Sequence, residues 1–200
     1  MTAPRVVQGV AGASGAALGL SVARQLVALG AEIDLVISAA AERTLAEECG
    51  PEALNTLQTL ATRCHPLSNM GASIASGSVP VSGMIVAPCS MRSLAAIAQG
   101  LDDNLLTRAA GVQLKERRRL VLLTREAPLT LAHLRNMTAA TELGAFILPP
   151  VPAFYLKPNS ISDIVDQIAA RAIDLLAITT PVARQWAEPA EENHSVINQN

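Results

Sequence analysis

The fold turns on residues 5–29: RVVQGV at Arg5–Val10, AGASG at Ala11–Gly15, then AALGLSVARQLVAL at Ala16–Leu29. The first run is short and rich in valine, as a buried strand is. Small residues with glycines then make a turn. From Ala16, apolar residues recur at Gly19/Leu20, Ala23 and Leu26/Val27, the spacing of one helix face. Gly30 stands where a helix ends in a left-handed glycine. A strand that feeds a helix through a tight glycine turn is the opening unit of a parallel α/β sheet.

Working outward, the alternation repeats. Ile33–Ile37 reads as a second strand, and Ser38 is placed to cap a helix running through Glu48. Met84–Ala87 is a third strand that Pro88 should stop. Leu120–Leu123 is a fourth and Ala145–Leu148 a fifth, with helices expected near 91–98, 104–118 and 130–142, and a last long helix over Ile161–Ile178. Continuously apolar strands separated by helices imply a doubly wound α/β fold, its mainly parallel sheet covered on both faces. Residues 1–187 are expected to form one domain, and the polar stretch 188–200 (EPAEENHSVINQN) a loose tail. In such sheets ligands sit beyond the carboxyl ends of the strands. The segments that matter are therefore 11–15, 38–48, 88–93 and 124–128.

Composition narrows the function. Of 200 residues, half are hydrophobic and 16% charged, with only four aromatics, so the core must be aliphatic. Charged residues usually make up about a quarter of a globular chain, and a surface so poor in charge suggests faces covered in an oligomer. The formal charge of −2 argues against nucleic-acid binding, which needs a basic footprint. Cys49, Cys64 and Cys89 have neither disulfide nor zinc spacing, which fits a reducing cytoplasm. No stretch reaches the roughly 18 apolar residues of a membrane span. His65, His133 and His194 lack metal-ligand spacing and read as surface or packing residues.

The loops point to a mononucleotide. Gly9, Gly12 and Gly15 form G-x-x-G-x-x-G rather than the dinucleotide G-x-G-x-x-G. Small residues at a helix start admit a phosphate, although an ordinary strand–helix turn would carry the same glycines. A nicotinamide fold ends its second strand in an acid that holds the ribose. Here that place is Ser38, while Glu32 and Asp34 lie towards the other end. A hydroxyl suits phosphate or ribityl oxygens, so FMN is favoured over NAD; Ser38 also suits a plain helix cap.

Ser90, Met91, Arg92 and Ser93 add hydroxyl and N–H donors after the third strand. Cys89, without a histidine neighbour in sequence, reads as a buried thiol. Arg108 and Lys115, seven apart, fall near one helix face. Arg117–Arg119 read as a solvated helix end. Arg125 follows a strand directly and can grip phosphate through paired hydrogen bonds; Glu126 beside it can move protons, or the two can form a structural ion pair. All aromatics lie between Phe146 and Trp186. The segment 149–155 reads as a rigid wall carrying Tyr155, with Phe154 expected in the core.

GASG at 12–15, ASGS at 75–78, APCS at 87–90, RAAGVQLKERR at 108–118, REAP at 125–128 and PPVPAFY at 149–155 together resemble the UbiX-type flavin prenyltransferases, in the family's order. The resemblance implies a Rossmann-like flavoprotein that needs no metal. It would join a dimethylallyl group, supplied as dimethylallyl monophosphate, to N5 and C6 of reduced FMN, for release to a UbiD-type decarboxylase. It also implies a homododecamer with shared sites. By similarity Gly12, Ala13, Ser14, Ser38, Ser90, Met91, Arg92, Ser93, Arg108 and Arg125 would line FMN. Lys115, Arg125, Tyr155 and Arg171 would hold the prenyl phosphate, Lys115 from a neighbouring subunit. Glu48 and Glu126 would handle protons, with Ser14, Lys115 and Trp186 completing the catalytic set. Glu47 competes with Glu48 for the place of the first acid, and Asn69 stands where relatives often carry Asp. Two other functions remain open: an FMN-dependent decarboxylase of the phosphopantothenoylcysteine type, or a flavin-binding accessory subunit without catalysis.

Overall fold

In a computed structural model that describes residues 3–186, six parallel strands lie in the order β3-β2-β1-β4-β5-β6. They are β1 (Arg5–Val10), β2 (Glu32–Ile37), β3 (Arg63–His65), β4 (Gly83–Cys89), β5 (Leu120–Thr124) and β6 (Phe146–Ile147). The helices are α1 (Ala16–Ala28), α2 (Ala39–Cys49), α3 (Ala53–Leu60), α4 (Met91–Ala98), α5 (Leu105–Lys115), α6 (Leu131–Glu142) and α7 (Ile161–Leu176). The expected tail, 188–200, and His194 within it lie outside the described residues.

The four central strands β2, β1, β4 and β5 bury both faces, which is why their sequences are largely apolar without alternation. Val6, Val10, Ile33, Leu35, Ile85 and Leu123 pack under α1 and α7. Val7, Val36, Met84, Val86, Leu120 and Leu122 face α4–α6. Gln8, at the centre of β1, is fully buried and donates to the Gly19 carbonyl at 2.7 Å, which seats α1 close to the sheet.

The chain differs from the sequence reading in several places. Strand β3 and helix α3 were not expected. The three residues of β3 carry no apolar run, and its pairing to β2 is reinforced by charge: Arg63 Nη2 donates to Glu32 at 2.8 Å, and His65 Nε2 lies 2.7 Å from Asp34 Oδ1. Pro88 does not stop β4. The strand runs on to Cys89 through a cis Ala87–Pro88 bond, and its register against β5 shifts there. The helix expected over 104–118 ends at Lys115. Phe154, expected in the core, is 74% exposed, because it sits on a single 3-10 turn outside both apolar layers. Nor is Arg117–Arg119 simply a solvated end: Arg118 donates to the carbonyls of Gly77 and Val79, and Arg119 to that of Leu175.

Candidate flavin site and donor-binding residues

The carboxyl ends of β1, β2, β4 and β5 are tied together through backbone. Ala11 N–H donates to the Pro88 carbonyl at 3.1 Å, Ser38 N–H to Val10 at 3.0 Å, and Arg125 N–H to Cys89 at 3.1 Å. This fixes the loops that carry Gly12–Ser14, Ser38, Ser90–Ser93 and Arg125 as one rim. Gly12 is required by close approach, since a Cβ there would overlap the side chain and backbone of Ala40 in α2.

Helix α1 begins at Gly15, whose left-handed backbone (φ 100°) suits glycine and whose missing side chain cannot cap the helix. Glu48 of α2 supplies the cap instead: its Oε2 accepts from Gly15 N–H at 2.8 Å and Ala16 N–H at 2.9 Å. Burial pushes the Glu48 carboxyl up, but these N–H groups, the Ser14 hydroxyl and the nearby Arg125 charge outweigh it, and it ionises below its ordinary value. Glu47, the competing acid, points away and pairs with Arg43 at 2.7 Å. An anion therefore already sits on α1. The donors open to a ligand phosphate belong to the starts of α2 and α4.

Both starts are built for it. Ser38 accepts from Ala41 N–H at 3.2 Å and so caps α2 at the rim. Ser90 caps α4 through Ser93 N–H and also donates to the Ser93 hydroxyl at 3.1 Å. Free N–H groups in the first turn of a helix form an anion site. Arg125 and Glu126 are exposed on the same rim. Arg125 forms no ion pair among the described residues, while Glu126 accepts from Ala127 N–H at 3.1 Å. The buried Thr124 hydroxyl, at the end of β5, has no hydrogen-bond partner among the described residues. Small residues, three serine hydroxyls and an uncommitted guanidinium fit a phosphate-bearing mononucleotide such as FMN. Cys89 is fully buried, and burial pushes its thiol up to about 12, which leaves it unreactive.

Two of the sequence-predicted cofactor residues are committed elsewhere. Arg92 pairs with Asp103. Arg108 donates to Asp102 at 2.9 Å and to the Ala75 carbonyl at 3.0 Å, so it fastens the 75–79 loop to α5.

Of the expected donor-binding residues, Arg125 lies on the rim, Lys115 at the far edge, and Tyr155 and Arg171 in a separate pocket. Lys115 ends α5 at the opposite, amino edge of the sheet, paired with Glu116. Helix α7 runs beside α1, with Ser21 Oγ donating to Asp166 at 2.6 Å, and its far end meets Arg119. Arg171 is thus about 15 Å along α7 from the helix start. There Arg171, Tyr155 and Trp186 line one pocket of about 520 Å³. The Tyr155 and Trp186 rings meet edge to face, 4.9 Å between centroids. Also lining it are Gln167 and Asp174, which were not singled out from sequence; as polar residues on an amphipathic helix they read as a solvated face. Among the described residues no group of His, Cys, Asp and Glu gathers to hold a metal.

Residues 1–173 match the flavoprotein family. A flavin prenyltransferase UbiX of Neisseria meningitidis serogroup B is 49% identical over 94% of this chain and 98% of its own. The chain belongs to the UbiX flavin prenyltransferase family. Among solved structures, a UbiX crystallised with FMN and dimethylallyl pyrophosphate superposes with a TM-score of 0.89, at 44% identity over 94% of this chain and all of that one. A dodecameric FMN-dependent UbiX-like decarboxylase from Escherichia coli O157:H7 gives 0.87 at 41% identity, over 92% of this chain and all of that one. The doubly wound, Rossmann-like fold expected from the sequence is the fold of these neighbours.

Proposed function

We propose that this chain joins a dimethylallyl group from dimethylallyl monophosphate to N5 and C6 of reduced FMN, and that the prenylated FMN passes to a UbiD-type decarboxylase. The observation that carries this reading is the rim itself: in a member of this family, serine-capped helix starts, an uncommitted Arg125 and the acid Glu126 converge on one sheet edge.

Reduced FMN supplies the nucleophilic ring atoms. The chain supplies position, charge and proton handling. Gly12, Ala13 and Ser14 let the flavin approach the backbone, while Ser38, Ser90, Ser93 and the start of α4 hold its phosphate. Arg125 bridges towards the prenyl phosphate. As that phosphate leaves, fixed cations must take up its growing charge, the part assigned to Arg125, Lys115 and Arg171, with the Tyr155 hydroxyl donating to an oxygen. Aromatic faces stabilise a developing allyl cation by roughly 0.5–2 kcal/mol, which suits Trp186.

The two acids divide the work. Glu48 is held ionised by three hydrogen bonds and acts as a fixed anion that aims Ser14. Glu126, exposed on the rim, is the group placed to take the proton displaced from the ring.

Because Lys115 and the Arg171 pocket lie away from the rim, they must reach it from neighbouring copies. Exposed Leu131 and Leu134 on α6, and exposed Val151, Phe154 and Ile161 before and at the start of α7, are surfaces that such copies would cover. We assign the same dodecameric assembly to this chain. No helix among the described residues is long and apolar enough to cross a membrane, and three free cysteines fit a reducing cytoplasm.

The test is anaerobic incubation with reduced FMN and either dimethylallyl monophosphate or its diphosphate, then mass analysis of the released flavin. One added five-carbon unit, absent without protein, is expected with the monophosphate. Bound but unmodified FMN with both donors would instead support the decarboxylase or accessory reading.

A further inference from the structure

Chain that leaves α7 turns back and lies along the helix it has just left. Two α7 side chains hold it by its backbone. Gln167 grips Arg184 in both directions, Nε2 donating to the carbonyl at 2.9 Å and Oε1 accepting from the N–H at 3.1 Å. Asp174 accepts from Val182 N–H at 2.7 Å and from Ala183 N–H at 3.3 Å, one through each carboxylate oxygen. Residues 167 and 174 are seven apart and share one face of the helix, with Arg171 between them on that face. The strap so held carries Trp186 two residues beyond Arg184, where its ring meets Tyr155 over the same pocket.

Among the described residues no other hydrogen bond holds the backbone of 182–184, and of the three side chains Ala183 is buried. Trp186 is 73% exposed, so burial does not fix it either. Four backbone hydrogen bonds are more than a surface turn needs to satisfy its own polar groups, since solvent would serve them equally. Their effect is geometric: they turn an exposed aromatic into a wall of defined position beside a cation.

We propose that Gln167 and Asp174 are positioning residues, a two-point clamp that holds the 182–184 strap so that Trp186 stands against Tyr155 beside Arg171. This rests on the reading of that pocket as the donor-binding part of the prenyl-transfer site. The clamp acts through Trp186 and touches neither ring nor phosphate itself. It should therefore affect use of the prenyl phosphate and leave FMN affinity, which the rim's own loops provide, unchanged.

Trp186 is the chain's only tryptophan, so tryptophan fluorescence reports on this strap alone. The full chain, freed of flavin and excited at the red edge of tryptophan absorption, is compared with Gln167→Leu, Asp174→Asn and the double variant. Emission anisotropy is expected to fall in each variant and furthest in the double one, with the midpoint of thermal unfolding unchanged. In steady-state turnover, kcat/KM for dimethylallyl monophosphate should fall roughly fivefold per clamp residue through kcat, the size expected for a displaced aromatic face beside a developing cation, with FMN affinity near wild type. Gln167→Glu keeps the acceptor for Arg184 N–H and should fall between wild type and Gln167→Leu. Unchanged anisotropy in the double variant would overturn the clamp. A fall in anisotropy with unchanged kcat and kcat/KM would overturn its role in the reaction. If wild-type protein transfers no prenyl group, the functional reading fails, while anisotropy still decides whether the clamp holds Trp186.

Discussion

The two edges of the sheet use charge in opposite ways. At the amino edge charges are closed on one another. Asp34, with no exposed side-chain surface, receives Arg5 at 2.6 and 3.1 Å and His65 at 2.7 Å, with Arg63 at 3.6 Å, and Arg5 reaches on to Ser73. Burial pushes the Asp34 carboxyl up, but the hydrogen bonds from Arg5 and His65 prevail and it ionises below its ordinary value. At the carboxyl edge serine hydroxyls cap helix starts, and among the described residues Arg125 has no ion-pair partner and Thr124 keeps an unpartnered hydroxyl. Closed charge holds the fold; charge left open awaits a ligand.

The sharpest way to break that contrast is Asp34→Asn. Removing one member of a buried ion network leaves Arg5 without its counter-charge and should cost about 3–5 kcal/mol in urea unfolding. FMN affinity of the folded fraction should be untouched. The pH dependence has a fixed sign. Asp34 titrates lower in the folded chain, so its contribution is complete above the unfolded value, about 3.9, and is lost as pH falls through the folded one.

Next in size is Glu126→Gln, which should keep FMN and slow single-turnover prenyl transfer about 100-fold, as loss of a proton-transfer group does. Arg125→Ala should weaken FMN binding about tenfold in a fluorescence titration and change stability little, because it breaks no ion pair and loses only an exposed charge acting on Glu48. Smallest is Glu48→Gln. Its cap on α1 is solvent-exposed, so the loss should be about 0.5–1 kcal/mol at neutral pH, vanishing in acid below the folded-state titration of Glu48. The expected readout is a converging pair of unfolding midpoints as pH is lowered.

Much of the rim was legible because the constraint is local. A glycine turn between a valine-rich strand and an amphipathic helix, and a serine where a nicotinamide fold needs an acid, speak through neighbours in sequence. The rest depends on partners far along the chain. Strand β3 forms from Arg63-Cys64-His65 because Glu32 and Asp34 lie opposite, which no window of sequence shows. Glu48 rather than Glu47 reaches α1 because of where α2 packs. Phe154 looked like core because aromatics usually are, yet the aliphatic layers were already full without it. The 167/174 clamp was invisible because glutamine and aspartate on a helix look the same whether they face water or a returning strap.

The central claim is that the open charge of one copy's rim works with Lys115 from the far edge of another. Co-assembling Arg125→Ala and Lys115→Ala chains tests it directly. Each variant alone should be nearly inactive. With equal random mixing and a site drawn from two copies, about a quarter of sites regain both residues, and prenyl transfer should return to about that share of wild type. Mixed assemblies no more active than their parents would contradict the account.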